Sequence, residues 1–71
     1  MTAINQQYAR QKLAAVARAP QRSRQRVRTN AYWRIASECE MFGADLSQDG
    51  SLTAEQYAAV EQALEAVGVT A

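Results

Sequence analysis

Arg22, Arg24, Arg26, Arg28 and Arg34 crowd into one segment of this sequence, with Asn30 and Trp33 among them. Guanidinium groups make forked hydrogen bonds to carboxylates and phosphates and stack on aromatic rings. These residue types therefore point to binding. The groups that make and break bonds are scarce. There is no His, which removes the usual general base and the commonest metal ligand. Cys39 stands alone, so neither a Cys-His nucleophile pair nor the usual structural zinc sites can form. Three glycines supply no phosphate-cradling loop. The inventory predicts a chain that is not an enzyme and holds no cofactor.

The charges are segregated along the chain. Every cation lies at or before Arg34, namely Arg10, Lys12, Arg18 and the five arginines of the segment. Every carboxylate lies after it: Glu38, Glu40, Asp45, Asp49, Glu55, Glu61 and Glu65. A net charge of +1 thus hides 8 cations followed by 7 anions. Such a split suits a basic arm for nucleic acid, or halves that attract one another. The segment 21–34 also resembles the arginine-rich segments with which phage and viral proteins grip structured RNA as a single helix. That resemblance implies Arg22, Arg24, Arg26, Arg28 and Arg34 on phosphates, with Asn30 and Trp33 contacting or stacking on bases. Arginine at every second position spreads the cations around a helix, and the seven carboxylates of the same small body oppose phosphate.

Helices must position these groups. Apolar residues make up 48% of the chain, so a folded body is expected, but many are Ala and bury little area. Residues 3–18 read as a first helix capped by Thr2, with Ile4, Tyr8, Ala9, Leu13 and Val16 on one arc and Lys12 snorkelling out of it. Pro20 breaks it. A second helix is predicted over 21–42, burying Val27, Ala31, Ile35, Cys39 and Phe42, with Tyr32 and Ala36 beside them. Its opposite face carries Arg22, Arg26 and Trp33. A Trp away from the core stripe and near cations reads as a contact surface. Residues 43–53 form a loop. A third helix follows over 54–67, with Thr53 and Gln56 as its capping box and Gly68 closing it.

That loop carries the second motif. Asp45, Ser47, Asp49, Gly50, Leu52 and Thr53 fall where an EF-hand calcium loop has its first, third and fifth ligands, sharp turn, buried plug and ninth position. The resemblance to a single EF-hand implies a ligand set of Asp45, Ser47, Asp49, the Ser51 carbonyl, Thr53 and Gln56. It departs at Gln56, where the family has a bidentate Glu. A structural loop accounts for the same residues: Asp49-Gly50 turns, Leu52 plugs the core and Thr53 caps a helix. No metal is expected.

The sequence therefore predicts one all-α domain over 1–71, a small helical hairpin or three-helix bundle with a thin core that a second copy or larger partner would complete. The favoured function is docking on a larger protein or assembly as an accessory, adaptor or inhibitor, with Arg22, Arg26, Trp33 and Arg34 in contact. Nucleic-acid binding through 22–34 and self-assembly of basic half on acidic half are the alternatives, and weak calcium binding stands last. Small size and richness in Arg and Ala suit a phage or bacterial accessory protein. No signal peptide or membrane span is read, which places the chain in the cytoplasm or in a particle assembled inside the cell.

Overall fold

A computed structural model describes residues 4–69. Three helices form: α1 over Gln6–Arg18, α2 over Arg24–Glu38 and α3 over Ala54–Ala66, with no strand among the described residues. Single 3-10 turns, Gln21–Ser23 and Gly43–Asp45, lead into α2 and follow it. The all-α bundle expected from the sequence is what forms.

Each helix end has a local cause, and three ends differ from expectation: α1 starts at Gln6 and not at 3, and α2 is shorter at both ends. Asn5 caps α1, its side-chain oxygen accepting from the Tyr8 N–H at 3.0 Å. The expected cap, Thr2, lies outside the described residues. Ala19 is extended because Pro20 follows it, and α1 stops there. The chain then turns through Gln21–Ser23, so α2 begins at Arg24.

Helix α2 ends at Glu38 and not at Phe42. Glu40 takes a left-handed φ of 53°, its N–H donating to the Ser37 carbonyl at 3.2 Å while the Met41 N–H donates to Ala36 at 3.0 Å. This pair of bonds is the Schellman closure, which favours glycine at the left-handed position. The same chain closes α3 that way with glycine: Gly68 has φ 77°, and Gly68 and Val69 donate to Glu65 and Leu64. At the start of α3, Thr53 Oγ1 accepts from Gln56 N–H at 3.1 Å and Gln56 Oε1 accepts from Thr53 N–H at 3.0 Å. The expected capping box is present.

Packing follows from the register of α2. Ala31, Tyr32, Ile35 and Ala36 are buried, so α2 presents adjoining stripes to two neighbours. It packs most extensively on α1 and less on α3. Tyr32 meets Tyr57 of α3 with ring centroids 4.8 Å apart. Burial pushes the Tyr32 phenol up, and the neighbouring Tyr57 and Glu61 push it the same way. The two ends of the described chain meet, with Gln6 Nε2 donating to the Val67 carbonyl at 3.1 Å. Ile4 and Val69 join Ala9, Leu13, Val16, Cys39, Val60 and Leu64 in the core, and among the described residues no polar or charged residue is buried. Val27 and Phe42, expected inside, are half-buried at its edge. Lys12 is half-buried, its ammonium 5.2 Å from the Tyr8 ring centroid, as a snorkelling side chain requires. The body measures 32 × 26 × 16 Å.

Candidate functional site

Arginines gather where α1 ends and α2 begins. Arg18, Arg22 and Arg26 are exposed there. Arg24 and Arg28 behave differently. They precede Ile35 by about three and two helical turns respectively, which puts both on the stripe that faces the core. Both are half-buried, and their Nε atoms are shut off from solvent without a partner. Arg24 reaches back to close the end of α1, with Nη2 donating to the Ala19 carbonyl at 2.9 Å. The arginines of this segment therefore do not ring a free helix. Seven-residue and eleven-residue steps back from Ile35 carry that signal in the sequence, but a charged side chain hides it.

What remains outward has an electrostatic peculiarity. The N-terminus of a helix carries partial positive charge, which carboxylates ordinarily offset. Helix α2 has no acidic residue in its first turn, where Arg24 and Arg26 stand instead. Its last turn carries Glu38 and no cation, so both ends oppose the usual arrangement. Among the described residues, the arginine hydrogen bonds go to neutral partners: Arg24 to Ala19, and Arg34 Nε to Asn30 Oδ1 at 3.1 Å. The helix dipole disfavours cations placed this way, whereas an anion docked beside them would gain from both the charge and the dipole.

Trp33 is on the far side of α2 from Ile35, as the spacing predicts, but it is not a free contact. The 46–53 loop crosses over it. Its Nε1 donates to the Ser47 carbonyl at 2.8 Å, and the ring is half-buried. Asn30, exposed, stands beside the same loop, where a Cβ on Gly50 would sit 3.5 Å from its Nδ2. Asn30 and Trp33, expected to meet bases or a partner, are thus engaged by their own chain. Position in the sequence places Trp33 off the core, and only the fold shows what covers it.

The loop is held together internally. Asp49 Oδ1 lies 2.6 Å from Ser51 Oγ and 2.7 Å from Ser47 Oγ, and accepts from Ser51 N–H at 3.0 Å. These bonds, the Ser51 hydroxyl first, hold the Asp49 carboxyl down at about 2. Gln56, beyond its part in the helix cap, donates Nε2 to the Asp45 carbonyl at 3.2 Å. Of the oxygens that the EF-hand resemblance nominates, those of Ser47, Asp49, Ser51, Thr53 and Gln56 thus serve the loop and the cap, and Asp45 contributes its backbone carbonyl. Among the described residues, no three side chains of the His, Cys, Asp and Glu types converge on a point that would hold a cation.

The sign of the Asp49 shift gives a pH dependence. A depressed carboxyl stabilises the loop at pH above 3.8 and loses that contribution as pH falls toward about 2. Since the loop covers Trp33, its emission is expected to shift red over that interval. Asp49→Asn should show the red-shifted emission already at neutral pH and lack the acid step. An unchanged acid step in the variant would assign it to another carboxylate.

Comparison with protein-family models, curated proteins and solved structures gave no match. No helix among the described residues is long and apolar enough to cross a membrane.

Proposed function

We propose that this chain is a small non-enzymatic interaction protein that docks on an acidic surface of a larger protein or assembly through its arginine-bearing end. Arg22 and Arg26 are the central contacts and Arg34 stands at the edge. The observation that carries this reading is the outward arginines at the positive end of α2, where no carboxylate neutralises them. Trp33 serves the reading indirectly, by holding the loop two turns beyond Arg26 on the same face of the helix. Its place of work is the cytoplasm or a particle assembled in the cell.

The geometry favours a protein surface over an RNA groove. A helix gripped by a groove needs cations all round, but α1 and α3 flank α2, the loop covers Trp33, and Arg24 and Arg28 turn inward. A few outward arginines suit a local acidic patch. The test uses labelled protein titrated with poly-glutamate, duplex DNA and single-stranded RNA over a range of salt. Poly-glutamate should bind, and an Arg22→Ala/Arg26→Ala double variant should bind it at least ~10-fold more weakly, the scale of losing anchor contacts. Indifference to poly-glutamate, with nucleic-acid affinity falling log-linearly with salt, would transfer the function to phosphate binding.

A further inference from the structure

The opposite end of α2 holds a feature that docking by the arginines does not use. A half-open hollow of about 350 Å³ lies there, lined by Ala36, Ser37, Glu40, Gly43 and Leu46. Its lining is mixed, with Ala36 and Leu46 apolar and Ser37 and Glu40 polar, and its single carboxylate fits a side chain with an aliphatic stem and a cationic head. Glu40 occupies its position against backbone preference. It stands at the left-handed residue of the Schellman closure with φ 53°, where the equivalent closure of α3 has Gly68. A strained non-glycine residue where glycine is the unstrained choice points to a use for its side chain. That side chain borders the hollow.

We infer that the hollow at Glu40 receives Arg22 or Arg26 of a second copy of this chain, so that copies join head to tail. The inference rests on reading the arginine end as a docking element, and charge complementarity selects the occupant. The chain is almost neutral overall, at +1, yet its cations and anions occupy separate halves. Glu38 and Asp45, both exposed, extend the acidic character around Glu40. Arg22 and Arg26 of the same chain cannot reach it, because Arg26 and Glu40 lie about 20 Å apart along the axis of α2 and its C-terminal turn, and the nearer Arg34 turns its Nε to Asn30 Oδ1 at 3.1 Å. The contact must therefore form between molecules. Its two faces differ, so the association is heterologous and propagates or closes as a ring.

Removing one face at a time tests it. Glu40→Gly deletes the carboxylate and relieves the left-handed strain, and Arg22→Ala/Arg26→Ala changes only exposed side chains, so both variants should keep their helical spectra. Particle mass measured by light scattering should rise with concentration for the unaltered protein and fall back with salt. Each variant alone should remain monomeric. Mixed in equal amounts they should form a heterodimer and nothing larger, since only one competent head and one competent tail remain. A protein monomeric at every concentration overturns the inference, as does assembly that persists in either variant or a mixture that stays monomeric or grows past the dimer. Poly-glutamate binding separates this from the docking reading: Glu40→Gly should retain it and the arginine double variant should lose it. Arginine-dependent poly-glutamate binding by a strictly monomeric protein would remove the hollow's role and leave the docking function intact.

Discussion

Ile35→Ala is expected to destabilise the protein by about 3 kcal/mol, the usual scale for removing a buried branched side chain that leaves a cavity. Ile35 is fully buried, at 0% exposure, and lies on α2 between the neighbours Ala31 and Tyr32 on one turn and Cys39 on the next. Ala9, Ala31 and Ala36 in the same core have no side chain long enough to reach into the space. A domain of this length has a total stability of roughly 4–10 kcal/mol, so the loss takes a large share of it. The midpoint of thermal unfolding should fall by roughly 4–8 °C per kcal/mol, placing the variant about 12–24 °C lower. Circular dichroism melts and urea titrations measure both quantities. Gln11→Ala, on the exposed side of α1, is the control and should stay within about 0.5 kcal/mol. A loss below about 1 kcal/mol at Ile35 would mean that the core closes elsewhere.

The parts of this fold that were legible in the sequence are those set by local chemistry. Apolar residues three and four apart placed α1 and α3, and Thr53 with Gln56 announced the start of α3 because both partners of the box lie within one turn. Gly68 announced its end for a similar reason: only the absence of a Cβ makes a left-handed residue cheap. The end of α2 gave no such signal. Glu40 adopts the same conformation with a side chain that disfavours it, so the apolar periodicity ran on to Phe42 as if the helix continued. The arginines were misleading in another way. Charge suggested solvent for Arg24 and Arg28, but their aliphatic stems lie along the core-facing stripe, where burial is a property of atoms more than of residue types. Trp33 shows the remaining limit. Its direction off α2 followed from spacing, whereas its cover depends on Ser47, which reaches it only after the chain has turned back across the helix.

Trp33→Ala is expected to cost about 2–3 kcal/mol, less than for a core Trp because the ring is half-buried. Two losses contribute: the ring area covered by the loop, and the Nε1 bond to Ser47 at 2.8 Å. Trp33→Phe separates them. It keeps most of the ring and loses the donor, so it should cost about 1 kcal/mol, the net worth of an ordinary hydrogen bond. Hydrogen exchange should locate the damage, with amides of the 46–51 loop exchanging faster in Trp33→Ala while those of α1 keep their relative protection. Binding then decides what Trp33 is for. As the support of a loop, it can be removed with little change in poly-glutamate affinity, because Arg22 and Arg26 reach their partner without it. A loss of ~10-fold or more in a variant still folded under the assay conditions would make the indole a direct anchor, since that is the scale of a central contact and not of a distant one. The loop would then have to lift from Trp33 before docking. In that case Asp49→Asn, which loosens the loop, should strengthen binding where Trp33→Ala weakens it.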